Sequence, residues 1–260
     1  MSILDHITDY KKQEVAARKE AFPVSVLEQS LLFERVGNSM AHALRNSKNG
    51  IIAEHKRRSP SKAVINDQAL LPEVVEGYEK AQVAAISVLT DTKFFGGSLD
   101  DLLLARQCVS TPILRKEFIV DPYQIYEAKA YGADAILLIA ACLSEKQLQA
   151  YSALAKQLHL DVLLEVHNSE ELKKSLHDTV DMLGVNNRNL KTFEVSIDIS
   201  KELSALIPDQ FVKISESGIS NVTAINQLRP FGYEGFLIGE RFMKDEKPGD
   251  SALNFIQQLS

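Results

Sequence analysis

Apolar and polar positions fall into blocks along this chain, with short continuous apolar runs separated by longer stretches of helical spacing. The runs lie at about 51–55, 84–89, 112–116, 135–139, 161–165, 181–185, 211–215 and 235–239. Strands buried on both faces are near-unbroken apolar runs rather than alternations. Helix-like segments fill the intervals, at 72–81, 99–108, 122–131, 145–159, 169–176, 197–206 and 221–229, with 251–259 as the eighth. Strand and helix in alternation imply a parallel sheet. Ahead of the first run, residues 3–21 carry Leu4, Ile7, Val15 and Ala16 near helical spacing, and Pro23 closes that helix. A second helical stretch is expected over 27–45.

Eight strand–helix pairs in 260 residues favour the α/β class and closure into a (β/α)8 TIM barrel, which typically takes about 250 residues. A doubly wound open sheet would want a glycine-rich turn after its first strand. The turn here, Lys56-Arg57-Arg58-Ser59-Pro60-Ser61-Lys62, has no glycine. No linker or shift in composition divides the chain. The expectation is one barrel domain over 1–260, with residues 1–48 as an N-terminal helical extension.

Composition changes this picture little. The chain is 45% hydrophobic and 25% charged, with a net charge of −6, which argues against a nucleic-acid surface. The stretch 135–143 falls short of the ~20 apolar residues that span a bilayer, and the charged N-terminus offers no secretory signal. Cys108 and Cys142 lack metal-like spacing; they fit small core residues in a reducing cytoplasm. An anionic ligand would need locally gathered cations, for which Lys56, Lys62, Arg115, Lys116 and Arg188 are candidates.

Five apolar runs end in reactive groups: at Glu54-His55-Lys56, Arg115-Lys116-Glu117, Glu165, Asn186-Asn187-Arg188 and Glu216-Ser217-Gly218. In a barrel of this kind chemistry sits where strands end. Glu54 and Lys56, two apart, share a face; they could form a structural ion pair or part of a site, with His55 turned to the helical shell. Arg115 and Glu117 would flank Lys116 on the opposite face. Lys116 would then be a lone inward lysine, whose pKa desolvation tends to lower, as suits proton transfer. Glu165 ends an apolar strand, a costly place for an idle carboxylate, and His167 follows on the same side. Asn186 and Arg188 could cap a helix start or hold a polar substrate, Arg offering a planar fork for a carboxylate.

Ser217-Gly218 and Gly239-Glu240 follow the seventh and eighth runs, where barrels often bind phosphate through backbone N–H groups. The Glu240 carboxylate would have to turn away from such an anion. The first loop, around Ser59-Pro60-Ser61-Lys62, suits a lid, and Phe94, Phe95 and Phe118 add aromatic surface near the mouth.

Taken together, these residues resemble the indole-3-glycerol-phosphate synthase family of tryptophan biosynthesis. The likeness runs through Ala53-Glu54-His55-Lys56-Arg57-Arg58-Ser59-Pro60-Ser61-Lys62, Phe95-Gly96-Gly97-Ser98, Leu114-Arg115-Lys116-Glu117-Phe118, Glu165-Val166-His167, Asn186-Asn187-Arg188-Asn189-Leu190, Ser215-Glu216-Ser217-Gly218 and Leu237-Ile238-Gly239-Glu240. Small departures are Ala63 for a usual glycine, Glu117 for a usual aspartate, and the bulkier Arg241-Phe242.

The resemblance implies a lyase that closes the ring of 1-(2-carboxyphenylamino)-1-deoxyribulose 5-phosphate, expels CO2 and water, and needs no cofactor and no metal. It implies a catalytic set of Lys116, Lys56, Glu165, Glu54, Asn186, Glu216 and Ser217. Lys116 would be the acid for ring closure; Lys56 and Glu165 would serve dehydration, with Glu54 tuning Lys56 or sharing the base role. Phe95, Phe118, Leu137 and Leu190 would hold the aromatic part, Asn186, Arg188 and Glu216 the anthranilate and hydroxyl groups. Ser217, Gly218 and Gly239 would hold the phosphate, and Ser59, Leu237 and Glu240 complete the binding set. The partner is this small phosphorylated substrate, not nucleic acid or membrane, with other tryptophan-pathway enzymes as possible associates. The rivals are an isomerase of the same fold, disfavoured because neither cysteine falls at a strand end, and a catalytically silent paralogue that binds a phosphorylated ligand.

Overall fold

In the computed structural model, which describes residues 2–189 and 194–259, the eight runs form parallel strands that close on themselves in sequence order. They are β1 (Ile51–His55), β2 (Ala85–Leu89), β3 (Ile113–Lys116), β4 (Ala135–Ile139), β5 (Asp161–Val166), β6 (Met182–Asn186), β7 (Val212–Glu216) and β8 (Tyr233–Ile238). Closure is made by β1 on β8, with Ile51 opposite Phe236 and Ala53 opposite Ile238. The helices Leu71–Lys80, Leu99–Cys108, Tyr123–Ala130, Glu145–Gln157, Ser169–Lys173, Asp198–Ser204, Val222–Leu228 and Pro248–Gln257 form the outer ring. The last begins earlier than its pattern suggests, because Pro248 takes the first helical turn, where a missing N–H costs nothing.

Successive residues of each strand face opposite sides, and the core is accordingly double. Ile86, Ile113, Ile136, Leu138, Val162 and Leu164 join the layer between barrel and helices. Ile52, Leu114, Leu137, Leu163, Met182 and Leu237 belong to the cluster filling the barrel. Full burial of each such side chain contributes roughly 1.5–3 kcal/mol.

Before β1 lie three helices, α1 (Ile3–Ala21), α2 (Val24–Leu27) and α3 (Met40–Arg45). α1 opens on a reciprocal cap, Asp5 N–H to Ser2 Oγ at 3.1 Å and Ser2 N–H to Asp5 Oδ2 at 2.7 Å. The continuous helix expected over 27–45 is not formed: residues 28–39 run as turns and open chain between α2 and α3. Buried Asp134 ties down the end of this segment by accepting from the Arg35 guanidinium at 2.5 Å and from the Asn38 N–H at 2.9 Å. Ser39 then caps α3. Leu31 and Val36, apolar residues of this stretch, are 97% and 90% exposed.

α3 closes the barrel floor. Met40 and Leu44 join the interior cluster, and Asp161, at the start of β5, accepts from Ser39 Oγ at 2.8 Å and the Ala41 N–H at 3.0 Å. α1 lies at the opposite end, and its Lys11 is fully buried there. The ammonium lies 2.9 Å from Asp91, 3.2 Å from Glu117 and 3.0 Å from Glu14. No helix among the described residues is long and apolar enough to cross a membrane.

Candidate active site

A cavity of about 450 Å³ opens at the C-terminal ends of the strands. Every expected site residue within the described part of the chain lines it: Glu54, Lys56, Ser59, Phe95, Lys116, Phe118, Leu137, Glu165, Asn186, Arg188, Glu216, Ser217, Gly218, Leu237, Gly239 and Glu240. Leu190 lies outside the described residues.

The centre holds three carboxylates and two lysines. Lys56 Nζ is 2.6 Å from Glu54 Oε1, and Ser87 of β2 donates to the other Glu54 oxygen at 3.4 Å. Lys116 Nζ is 2.5 Å from Glu216 Oε2 and 3.6 Å from Glu165 Oε2. The inward lysine is therefore not alone, and the expected lowering of its pKa is reversed. Burial works to lower it, but Glu216, Glu165 and Glu54 outweigh burial and hold the ammonium well above its ordinary range. Burial also acts against the Glu54 carboxylate, yet Lys56 and Lys116 bring its pKa below the usual carboxylate value. Glu216 is the exception. Burial, with repulsion from Glu165 and Glu54, overcomes the pull of Lys116 and raises it to about 7. Three buried acids share two cations, so one acid tends to keep its proton.

The flanking charges turn outward, as strand alternation requires. Arg115 bonds Thr90 Oγ1 at 3.1 Å, the Gln124 carbonyl at 2.6 Å and Glu127 at 3.1 Å. Glu117 faces Lys11 and accepts from Thr90 Oγ1 at 2.8 Å. His55 is buried in the shell, where burial and Arg57 bring its pKa down to about 4, so it stays neutral. His167 sits beside Glu165, its Nε2 3.5 Å from Oε1.

The apolar wall has a contribution that the strand pattern did not supply. Phe95 and Phe118 are 5.8 Å apart between ring centroids, but Ile3, Leu4 and Ile7 of α1 line the same cavity. The amphipathic spacing of α1 marked an apolar face without saying what it covers. Phe94 does not join the mouth: it packs edge-on against His6 and Tyr10 of α1. Asp91 holds this turn by accepting from the Phe94 and Phe95 N–H groups at 2.6 and 3.1 Å.

The loop after β1 forms a tight turn, with Ser59 and Lys62 exchanging backbone hydrogen bonds at 2.9 and 3.0 Å. Arg57 anchors it to Asp101 through two bonds of 2.6 and 2.8 Å. Lys62 reaches across the mouth to Glu240 at 2.9 Å, which turns the carboxylate toward that loop and lowers its pKa. Of the departures from the family pattern, Ala63 is exposed. Phe242 is buried against Tyr78 and Phe255, and Arg241 pairs with Asp245 at 2.9 Å.

At the other rim, Ser217 and Gly218 are both left-handed, with φ of 67° and 78°. Asn187 stabilises this turn, a role its sequence did not disclose. Its side-chain amide donates to Ser215 Oγ at 2.9 Å and to the Ser217 carbonyl at 3.0 Å, and its Oδ1 accepts from Ser200 Oγ at 2.8 Å. Asn186 Oδ1 accepts the Arg188 N–H at 3.0 Å, an internal turn contact rather than a helix cap. Gly239 has a reason beyond phosphate approach: a Cβ there would lie 2.6 Å from Glu54 Oε1. Among the described residues, no group of three or more His, Cys, Asp or Glu is arranged to hold a metal ion.

Known proteins resemble this chain in sequence and in fold. A family model described as indole-3-glycerol phosphate synthase matches residues 4–255. The indole-3-glycerol phosphate synthase of Bacteroides thetaiotaomicron is 46% identical over 257 residues, covering 99% of this chain and 98% of that protein. The protein of the same name from a Polaromonas species is 41% identical over 251 residues, 95% of each. Among solved structures, thiamine phosphate pyrophosphorylase from Pyrococcus furiosus superposes with a TM-score of 0.60 at 15% identity, covering 83% of this chain and 98% of that one. That likeness is one of fold.

Proposed function

We propose a division of labour in the cavity from one premise, that the chain belongs to the indole-3-glycerol phosphate synthase family. Its reaction is that of a carboxy-lyase, converting 1-(2-carboxyphenylamino)-1-deoxyribulose 5-phosphate to indole-3-glycerol phosphate. The observation that carries the residue roles is the acid–lysine cluster, Lys116 with Glu216 and Glu165 beside Lys56 with Glu54.

Ring closure joins the carboxyl-bearing aromatic carbon to the ketone carbon, and the ketone oxygen must take up a proton or have its charge met. Lys116 suits this role because its neighbours keep it an ammonium, able to donate a proton and to stabilise the developing alkoxide. Carbon dioxide then leaves with its bonding pair delivered into the ring system. Dehydration removes the new hydroxyl as water, which needs one proton donated to that oxygen and one removed from carbon. Lys56 is assigned the first task and Glu165 the second, with Glu54 holding Lys56.

Phe95, Phe118, Leu137 and Leu237, with Ile3, Leu4 and Ile7 of α1, form the apolar surface for the anilino ring. Arg188 and Asn186 are assigned the carboxylate and hydroxyl groups; Ser217, Gly218 and Gly239, with Ser59 and Glu240 at the periphery, are assigned the phosphate. Holding the substrate bent among these groups supplies part of the acceleration, since positioning can contribute several kcal/mol. In this assignment residues 1–260 act as one (β/α)8 domain and 1–48 as its extension, because α1 shares the cavity. The setting is cytoplasmic, where the free Cys108 and Cys142 are at home. Association with other tryptophan-pathway enzymes would be read by co-sedimentation with them.

The decisive assay is steady-state turnover of the carboxyphenylamino-deoxyribulose phosphate in the presence of a chelator, followed by indole fluorescence. Product formation under chelation is expected. A folded protein that binds the substrate but forms no product would instead be a silent paralogue.

A further inference from the structure

Glu165 shares its nearest lysine with another carboxylate. Lys56 is engaged by Glu54 at 2.6 Å, and Lys116 lies closer to Glu216, at 2.5 Å, than to Glu165, at 3.6 Å. Glu165 is buried beside the other two carboxylates, and Lys116, its ion-pair partner at 3.6 Å, is shared with Glu216. Its second oxygen, Oε1, faces the Nε2 of His167 at 3.5 Å. That ring is held from behind. Its Nδ1 lies 3.1 Å from Glu171 Oε2, which also accepts the His167 backbone N–H at 2.9 Å, while Asn168 fixes the other Glu171 oxygen at 2.9 Å. The Nε2 is buried and has no hydrogen-bond partner of its own. The ring is thus locked with one nitrogen on a carboxylate and the other aimed at the catalytic acid–lysine cluster.

We infer that His167, oriented by Glu171, is a positioning residue that gives Glu165 a second cationic neighbour, beside the Lys116 it shares with Glu216, and so favours the carboxylate as the base of the dehydration step. This rests on the assignment of Glu165 as that base. The groups facing the pair are Lys116 on β3, Glu216 on β7, Glu54 on β1, and Cys142 beyond β4, with Lys174 tied to the Ala140 and Leu143 carbonyls nearby. The acids among them favour a protonated imidazole. Burial acts to lower the His167 pKa, but Glu171 and Glu165 carry it above its ordinary value.

The sign of the effect is fixed by this arrangement. An imidazolium beside a carboxylate favours the ionised form of that carboxylate. His167→Gln keeps a polar side chain but removes the charge. Glu165 should then hold its proton to higher pH, and the acidic limb of the kcat/KM profile should move up by about one pH unit, within the range for a charge removed at this distance. Turnover efficiency should fall about tenfold at pH 6 and much less at pH 9, above the acidic limb of both profiles.

The test is the kcat/KM profile from pH 5 to 9 for the parent, His167→Gln and Glu171→Gln, together with Glu165→Gln and a melting curve for each. Parallel upward shifts of the acidic limb in the first two variants are expected. A uniform loss at all pH values, or superposition on the parent, overturns the inference. Should His167→Gln fail to fold, Glu171→Gln carries the same requirement, since it removes the carboxylate that orients the ring and favours its protonated form. A direct readout is the His167 imidazole titration followed by NMR, which should move to lower pH in Glu165→Gln; an unmoved titration overturns the pairing. Full activity in Glu165→Gln would instead remove the base assignment, and the two failures are thereby separated.

Discussion

Gly184 on β6 makes room for Glu216 on β7: a Cβ at Gly184 would lie 2.2 Å from Glu216 Oε1. The carboxylate that holds Lys116 therefore occupies space that any other residue on the adjacent strand would fill. A glycine inside a buried strand commonly marks such a close approach.

Gly184→Ala should displace Glu216 and with it the Lys116 ammonium. Overpacking of this kind costs about 1–3 kcal/mol of stability, and misplacement of an acid by an ångström can cost about 10²-fold in rate. The expected outcome is a modest drop in melting temperature with a disproportionate fall in kcat. An alanine variant with parental kcat would show that the Glu216 position is not critical.

Lys116→Ala should lose turnover by about 10²–10⁴-fold, the usual loss for a general acid, while circular dichroism shows the barrel intact. The fold should survive because the lysine lies at the rim of the strand rather than in the packed layers. Near-normal turnover in the purified variant would take Lys116 out of the mechanism.

Glu216 gives a pH signature in stability. Its pKa is about 7 in the folded chain against 4.5 for the ordinary group, so between these values the folded state binds more protons than the unfolded one. The stabilisation linked to that proton is complete below about 4.5 and is lost as pH rises through 7. Glu216→Gln cannot titrate. Its stability relative to the parent should therefore rise by about 3 kcal/mol across that window and level off above it, as measured by urea unfolding at stepped pH. Parallel curves for the two proteins would mean that the folded Glu216 has an ordinary pKa.

Lys11→Met should be strongly destabilising, although the residue lies in an extension outside the barrel. Its removal strands buried Asp91 without its lysine and leaves buried Glu117 with Arg115 at 3.7 Å, and breaking a buried pair typically costs about 3–5 kcal/mol. Asp91 also holds the Phe95 turn, and Glu117 accepts the Phe118 N–H at 2.9 Å. KM for the anthranilate-derived substrate should rise as the aromatic wall loosens. A variant with parental melting temperature and KM would reduce Lys11 to a bystander.

The sequence by itself determined the strands, nearly all of the helices and the class of chemistry. Unbroken apolar runs such as 51–53 and 162–164 are local patterns, and reactive residues follow them within the next three positions. Two-residue alternation was enough to send Lys116 inward and Arg115 and Glu117 outward. What it could not supply is any distance between residues far apart in the chain. Lys116 and Glu216 meet only because the barrel closes, and the meeting turns an expected easily deprotonated lysine into one held as an ammonium. The same holds for Gly184 beneath Glu216, for Asn187 under the Ser217 turn, and for the ring of His167 facing Glu165. Residues 28–39 differ for a related reason: Asp134, about a hundred positions away in the chain, accepts from the Arg35 guanidinium and the Asn38 N–H, a contact that periodicity does not record. Periodicity records which face of an element is buried, whereas electrostatics depends on what that face is buried against, and only the tertiary structure decides that.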